Sequence, residues 1–338
     1  MALRIPLGLV KMLSVNIVSL DNGAGLSRDA QLLVDTLAAA GMRPRWFKGY
    51  VQHKGMRLLQ RKGLLNWMLP RYDVNIFLER FHPSWFPTAR KNVLIPNPEW
   101  FMPGEAPNLG GIDAVLCKSQ DAVTTFSALG KSARWVGFTS ENRYAGKVAA
   151  GEPMRALHVA GRSPHKGTAG LLSVWRKHPE WPMLTVVQRP LDEHTILDTV
   201  PAANIRFLTH RLSDAEILEL QHTHPLHVMP SEVEGYGQAI AEAMSIGAIV
   251  LTTDAAPMNE LVQPGRGIVV ATHEIGKLHL ATLVRADEAA LEAAIADVLT
   301  WTVERCTAVG TAAREWFVAN DKRFHADFPI ALRDVVAA

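Results

Sequence analysis

Short runs of apolar residues alternate along the chain with longer segments in which apolar residues recur at helical spacing. The first run covers residues 13–20, and residues 27–40 follow it with Leu32, Leu33 and Leu37 on one side of a predicted helix. Ser27 stands where its side chain can cap that helix. Buried strands that alternate with amphipathic helices predict an α/β fold, with parallel sheets covered on both faces.

The same alternation continues through two halves of the chain. Further strands are predicted at 74–78, 92–95, 114–117 and 134–138, then at 156–160, 184–187, 205–208, 226–228, 249–252 and 267–270. Helices are predicted at 168–178, 213–222, 237–246 and 289–299, and the tail from about 304 to 336 is expected to form helices. The polar, turn-prone residues 139–154 predict a linker between two Rossmann-like halves, with a ligand cleft between them.

The composition is that of an ordinary globular protein. Of 338 residues, 48% are hydrophobic and 20% are charged, which excludes a disordered, collagen-like or coiled-coil chain. Neither a signal peptide nor an apolar run long enough to span a bilayer is recognised. Cys117 and Cys306 lie far apart and outside any metal-type spacing. A cytoplasmic protein without a disulfide framework or a cysteine zinc site is therefore expected.

The net charge of +2 hides an uneven distribution. Residues 1–150 hold 19 Lys and Arg against 10 Asp and Glu, whereas residues 151–338 hold 16 against 23. Basic side chains are interleaved with Leu and Trp in the segment 46–71. This segment is interpreted either as a helix that binds an anionic membrane, peripherally on its inner face, or as an amphipathic helix that packs on its own sheet. Nucleic acid is a less favoured partner, because no nucleic-acid motif is recognised.

The most informative segment lies between a predicted strand and a predicted helix and reads Pro-Ser-Glu-Val-Glu-Gly-Tyr-Gly-Gln over residues 230–238. Gly235 and Gly237 allow the backbone to approach a ligand closely. The N-terminus of the following helix supplies N–H groups that suit a phosphate. Glu234 and Glu242 are separated by up to roughly 12 Å along a helix. They therefore suit the two ends of one long ligand better than a shared proton.

A second segment also joins a strand to a helix and reads Gly-Arg-Ser-Pro-His-Lys-Gly over residues 161–167. Arg162 offers a bidentate fork for phosphate oxygens, and Lys166 offers a point charge. With the helix start at Gly237, these two cations predict a site that holds a pyrophosphate.

Together the two segments resemble the retaining glycosyltransferases of GT-B fold (glycosyltransferase group 1, or family 4 type), which include relatives of sucrose and glycogen synthases. Their Glu-x7-Glu signature maps on Glu234 and Glu242. The resemblance is strong over residues 156–262 and mainly architectural over residues 1–138. One departure is the spacing of four between Arg162 and Lys166, where family members more often have five.

The resemblance implies two Rossmann-like domains that face a central cleft: an acceptor domain at 1–145, a donor domain at 152–305, and C-terminal helices at 306–338 that cross back to the first domain. It implies transfer of a sugar, with retention of configuration, from a nucleotide diphosphate sugar to a hydroxyl of a glycan, lipid-linked or other anionic acceptor. No metal or other cofactor is expected. The alternatives are a non-catalytic nucleotide-sugar-binding subunit of a glycan assembly complex and a nucleotide-sugar epimerase on the same fold.

Site residues follow from the same resemblance. Arg162 and Lys166 would bind the donor diphosphate, Glu234 would hold hydroxyls of the transferred sugar, and these three residues form the expected catalytic set. Glu242 would bind the nucleotide ribose. The other expected donor-binding residues are Gly161, Gly235, Tyr236, Gly237, Gln238, Arg211 and Leu212. The loop expected near the donor phosphate and the acceptor is Gly23, Ala24 and Gly25, and His82 is assigned to the N-domain histidine of the family, for which the chain has no clean match.

Overall fold

A computed structural model of the chain describes residues 12–49, 71–146 and 154–338. The predicted membrane-binding segment 46–71 therefore lies mostly outside the described residues, as does part of the predicted linker. Among the helices that are described, none combines the length and the apolar character needed to cross a bilayer.

The first half of the chain forms a six-stranded parallel sheet with the order β2-β1-β3-β4-β5-β6. Its strands are β1 (Ser14–Ser19), β2 (Arg43–Lys48), β3 (Tyr72–Leu78), β4 (Ala89–Ile95), β5 (Ala114–Cys117) and β6 (Ala133–Trp135). Its helices are α1 (Gly25–Ala39) and α2 (Gln120–Ala128), with 3-10 segments at Pro83–Thr88, Pro98–Trp100 and Pro103–Gly111.

The second half forms another six-stranded parallel sheet, with the order β12-β11-β10-β7-β8-β9. Its strands are β7 (Ala156–Gly161), β8 (Leu184–Gln188), β9 (Ile205–Leu208), β10 (Leu226–Met229), β11 (Ile249–Thr253) and β12 (Ile268–Val270). Its helices are α3 (Thr168–Arg176), α4 (Asp214–Thr223), α5 (Gln238–Ser245), α6 (Met258–Leu261) and α7 (Glu288–Val298). The predicted α/β fold with two Rossmann-like domains is confirmed.

The burial of β1 explains why its sequence is apolar without alternation. Val15 and Ile17 pack in one core with Leu33 of α1, whereas Val18 points to the opposite face and packs with Phe77. Both faces of the strand are covered, so every side chain from Val15 to Ser19 is buried. A parallel sheet between helices requires this pattern.

An antiparallel hairpin that the sequence pattern did not predict leaves the second domain and reaches the first. It consists of β13 (Thr272–Leu278) and β14 (Ala281–Ala286). At its turn, the Leu280 amide donates to the Pro98 carbonyl over 3.2 Å, and in β14 the Val284 amide donates to the Glu232 carbonyl over 3.0 Å. Strand β13 is polar and largely exposed, and in β14 buried Ala and Val stand among exposed Thr and Arg. Neither strand therefore has the continuous buried apolar run by which the sheet strands were recognised.

The tail is one continuous helix, α8 (Val303–Ala337), so the prediction of several helices was wrong in number. Near its start α8 packs on the second domain, where Gly310 lies against the backbone of Gly247. Further along, Thr139 donates to Asp321 over 2.8 Å, and Arg134 pairs with Asp334 at 3.0 Å. One helix is therefore packed against both domains.

Several predicted element boundaries also differ from those of the structure. Ser27 lies inside α1, which begins at Gly25, and its hydroxyl accepts from the Gly23 amide instead of capping the helix. The strand predicted at 134–138 ends at Trp135, and residues 139–146 contain no helix or strand. Strand β2 and helix α2 were not predicted, because β2 is a mixed charged and aromatic edge strand and α2 carries a weak apolar face.

The packing of α8 predicts an unusual response to a helix-favouring substitution. Gly310→Ala is expected to lower the free energy of unfolding by about 1–3 kcal/mol, because the new methyl group meets the Gly247 carbonyl. Gly170→Ala in α3 is the matched control, since no atom lies within 4 Å of the added methyl. It should be neutral or stabilising by up to about 1 kcal/mol. Urea unfolding measures both, and equal behaviour of the two variants would contradict the packing.

Candidate active site

Lys166 and Glu234 meet at the carboxyl edge of the second sheet. The Lys166 ammonium donates to Glu234 Oε1, and the hydroxyl of Ser231 donates to the same oxygen over 2.8 Å. The two charged side chains are only 19% and 13% exposed. Lys166 follows β7 and Glu234 follows β10, so the carboxyl ends of neighbouring strands bring them together, where ligands of such sheets bind.

Two glycines allow the loops that carry Lys166 and Glu234 to lie close together. Gly167 has a φ of +68°, and a Cβ there would collide with the Pro230 carbonyl. Gly237 has a φ of +101° and precedes α5, whose first turn receives no hydrogen bond from a capping side chain. The N–H groups at the start of α5 can therefore serve an anion, which the helix dipole also favours.

The side chains of Tyr236 and Gln238 form hydrogen bonds within the protein. The buried Tyr236 hydroxyl donates to the Phe138 carbonyl over 2.7 Å, and burial raises the pKa of this phenol. Gln238 donates to Asp29 of α1, in the other domain. Only the backbone of these two residues is therefore left to contact a ligand.

Glu242 lies buried in α5 among three polar partners. Arg28 donates to one carboxylate oxygen over 3.0 Å and Gln221 to the other over 3.0 Å, while Arg143 Nε lies 3.8 Å away. Burial raises the pKa of Glu242, and the nearby Arg143 and Arg28 oppose that shift. Arg28 comes from the first domain, so this ion pair crosses the cleft.

Arg162 does not join Lys166. Its side chain is exposed and donates to the carbonyl of Leu191. Arg211 and Leu212 precede Ser213, which caps α4, and the next residue, Asp214, pairs with Arg28 and Arg143. These two expected donor-binding residues therefore lie on the Glu242 side of the cleft, away from the Lys166–Glu234 pair.

The predicted residues of the first domain occupy local turns. Gly23 has a φ of +62°, and its amide is bonded to Ser27, while the Ala24 amide is bonded to Asn22. Gly25 begins α1. His82 is exposed at the start of a 3-10 segment, where its ring contacts the Ser84 hydroxyl at 2.7 Å.

Three polar residues of the first domain that the sequence did not single out face the Glu234 loop. Glu79 follows β3, and Asn97 and Glu99 follow β4. Asn97 donates to Glu79 over 2.9 Å. A Cβ at Gly235 would lie 2.6 Å from Asn97 Oδ1 and 2.7 Å from Glu99 Oε1. The available signal was their position directly after buried parallel strands, where ligand-binding residues concentrate.

Glu99 is 6% exposed. Burial raises its pKa to about 8, and the negative charges of Glu79 and Glu234 act in the same direction, while Lys118 acts against them. The carboxyl group is therefore mostly protonated at neutral pH, so it can both donate and accept hydrogen bonds.

A further contact and a cavity complete the junction of the domains. Glu260 accepts from the amides of Gln120 and Asp121 over 2.8 and 3.1 Å, so a carboxylate of the second domain caps α2 of the first. A cavity of about 190 Å³ lies beside Glu234. It is lined by Pro98, Ser119, Asp121, Val233, Glu234, Ala255, Ala256, Pro257, Ala281, Thr282 and Val284.

Two parallel-sheet domains with a polar cleft at the strand ends are the architecture of the GT-B glycosyltransferases. The profile of the family described as glycosyl transferases group 1 matches residues 146–316. The chain therefore belongs to this family and is a glycosyltransferase, as predicted. A comparison with curated protein sequences gives no match.

Solved structures agree on the fold at low sequence identity. A glycosyltransferase from Rickettsia africae ESF-5 superimposes with a TM-score of 0.72 at 12% identity, over 96% of this chain and 99% of that one. Alr3699/HepE from Anabaena, in complex with UDP and glucose, gives 0.69 at 14% identity, over 95% and 99%. Sucrose-phosphate synthase (tll1590) from Thermosynechococcus elongatus gives 0.69 at 13% identity, over 96% and 99%. The GT-B fold is confirmed.

The two arginines that contact Glu242 should contribute unequally to stability. Arg143→Met removes the buried cation beside the buried Glu242 carboxylate, and is expected to lower the free energy of unfolding by about 3 kcal/mol. Arg28→Met removes a cation whose side chain is 47% exposed, against 1% for Arg143, and should cost less than about 1 kcal/mol. Urea unfolding at neutral pH tests this order, and a larger loss for Arg28→Met would refute it.

The raised pKa of Glu99 predicts a pH dependence of stability. The unfolded chain ionises this carboxyl near its ordinary pKa of 4.5, whereas the folded protein holds the proton up to about pH 8. Between these two pH values the folded state thus binds more protons than the unfolded state. As the pH rises through this range, Glu99 therefore lowers the free energy of unfolding by up to about 1.4 kcal/mol per pH unit. Glu99→Gln should therefore be more stable than the native protein at about pH 8, and the advantage should vanish at about pH 4.

Glu292→Gln is the control for this measurement. Hydrogen bonds from His178 and Lys177 lower the pKa of Glu292, so its loss should not stabilise the protein at high pH. Thermal unfolding across this pH range provides the comparison. An unchanged difference between native protein and Glu99→Gln at all pH values would show that Glu99 titrates normally.

Proposed function

We propose that this glycosyltransferase moves a sugar from a nucleotide diphosphate sugar to a hydroxyl group of a glycan or lipid-linked acceptor, with retention of anomeric configuration. The observation that carries the proposal is the contact of Lys166 with Glu234 beside the uncapped start of α5. A cation, a carboxylate and free N–H groups at one place suit a phosphorylated sugar.

The donor diphosphate binds at the start of α5 in this proposal. Lys166 and the amides from Tyr236 to Gln238 stabilise the negative charge that develops as the diphosphate leaves. Gly161, with a φ of +60°, lets the backbone after β7 turn toward the same place. Arg162 would have to leave the Leu191 carbonyl before it could assist, so Lys166 is the principal cation.

In this proposal the transferred sugar lies at Glu234 and the nucleoside lies at Glu242. Glu234 accepts hydrogen bonds from hydroxyls of the transferred sugar, and the small cavity beside it is the right scale for a single sugar ring, compared with roughly 300–1,000 Å³ for larger ligands. Glu242 accepts from the ribose, which then replaces the exposed Arg28. The structural neighbour HepE, which was crystallised with UDP-glucose, supports a nucleotide sugar as donor.

Retention follows if the acceptor attacks on the face from which the diphosphate departs. The new bond then joins the acceptor oxygen to the anomeric carbon, the bond to the diphosphate breaks, and the hydroxyl proton passes to the leaving phosphate oxygen. The acceptor approaches from the first domain, and the cleft excludes water when both substrates are bound.

The test begins with a thermal-shift screen of UDP-, GDP-, ADP- and TDP-sugars, because a donor that binds the folded state raises the melting temperature. With the donor found, Lys166→Ala is expected to lower turnover by roughly 100-fold or more, since it removes a charge that stabilises the leaving group. Lys177→Ala is the matched control, because Lys177 also pairs with carboxylates of this domain but lies on the surface.

The stereochemistry is read by NMR of the first product formed, before its anomers equilibrate. Turnover unchanged in Lys166→Ala, or a product of inverted configuration, would refute the corresponding part of the proposal. A donor that binds without transfer or hydrolysis would instead indicate a binding subunit, and a changed sugar without transfer would indicate an epimerase.

A further inference from the structure

We infer that Asn97 and Glu99, supported by Glu79, form a binding site for the hydroxyl groups of an electrically neutral acceptor unit. The inference rests on the proposed function, and it names both the residues that hold the acceptor and the chemical class of its reacting end. We call these three residues the Asn97–Glu99 site.

The position of the site places it opposite the donor. Asn97 and Glu99 follow β4, Glu79 follows β3, and both strands end at the same edge of the first sheet. Asn97 Oδ1 and Glu99 Oε1 occupy the space that a Cβ at Gly235 would need, and Gly235 follows Glu234. Pro98, between them, lines the cavity that Glu234 also lines. A group held by this site therefore adjoins the sugar held by Glu234.

The site has unused hydrogen-bonding capacity. Asn97 is 8% exposed and Glu99 6% exposed, yet within the described residues neither Asn97 Oδ1 nor Glu99 Oε2 has a hydrogen-bond partner. Buried oxygens are normally paired, and leaving one unpaired is costly. If these residues served only to hold the two domains together, the protein would be more stable with these oxygens paired. Hydroxyl groups of a ligand are suitable partners, because they donate to such oxygens and also accept from a protonated carboxyl.

The charges around the site select a neutral ligand. The carboxyl groups of Glu79, Glu99 and Glu234 meet here. The cations that act on them are already engaged, Lys118 by Asp29, Arg80 by Glu105 and Lys166 by Glu234. A phosphate or carboxylate on the reacting unit would meet repulsion and find no free cation among these groups. Any anionic part of the acceptor must then lie farther from the reacting hydroxyl.

The experiment compares neutral and phosphorylated sugars as acceptors. With the donor identified by thermal shift, turnover is measured with methyl glucoside, methyl galactoside and methyl mannoside, and with their 6-phosphates. We expect the native protein to use at least one methyl glycoside and to use its 6-phosphate with at least a tenfold lower kcat/KM. Donor hydrolysis without acceptor is recorded alongside, because it reports the donor site alone.

Variants assign the effect to residues. Glu99→Met and Asn97→Ala are each expected to raise the KM for the glycoside about tenfold, since each loses a hydrogen bond to the acceptor. Glu99→Gln should restore a KM near the native value, because an amide also donates and accepts. Glu105→Met is the control: Glu105 also carries an unpaired buried oxygen in this domain, but it pairs with Arg80.

The outcomes separate this inference from the proposed function. Absence of any donor binding or hydrolysis would refute the function itself. Normal donor hydrolysis with no use of the neutral glycosides, or with preference for the 6-phosphates, would overturn the inference alone. An unchanged KM in folded Glu99→Met and Asn97→Ala would overturn it as well, as would equal effects of Glu105→Met.

Discussion

The relation between the two domains depends on a buried ion pair that joins α1, β5 and α5. Lys118 donates to Asp29 over 2.5 Å, and Gln238 donates to the other oxygen of the same carboxylate. Lys118 also lies 4.6 Å from the centre of the Phe138 ring. Burial raises the pKa of Asp29, and Lys118 opposes this shift. Because a buried charge without its partner is strongly destabilising, Asp29 and Lys118 hold Gln238 at one place.

The position of Gln238 determines the position of the Glu234 loop. Gln238 is the first residue of α5, so the start of this helix cannot move away from α1 without breaking the bond to Asp29. The preceding residues, Glu234 and Gly235, are thereby held against Asn97 and Glu99. Only glycine fits at position 235, since any side chain would displace these two groups. The cleft is narrow at this point because the backbone itself is the contact surface.

The sequence identified the contacts that arise from local pattern and missed those that arise from tertiary packing. Lys166 and Glu234 were found because each follows an apolar strand and precedes a helix, and both features are visible in the sequence. Arg162 has the same local setting, yet its side chain bonds to Leu191, a residue that no motif connects with it. Glu99 was missed for the converse reason: its burial depends on Gly235, which is 136 positions away in the chain. The hairpin of β13 and β14 was missed because neither strand has a continuous buried apolar run.

The basic excess of the first half and the acidity of its cleft face have different consequences for the acceptor. Residues 1–150 hold nearly twice as many basic as acidic side chains, but the buried ionisable groups that this half brings to the cleft are Asp29, Glu79 and Glu99, with Lys118 as their cation. Salt screens the exposed basic side chains beyond about 8 Å at physiological ionic strength, whereas the buried carboxyl groups act with little screening on a group bound in the cleft. Long-range attraction therefore favours a negatively charged acceptor, whereas the groups that contact the acceptor in the cleft disfavour negative charge. An acceptor that satisfies both carries its negative charge at a distance from the hydroxyl that reacts, as a sugar joined to a phosphorylated or membrane-embedded carrier does.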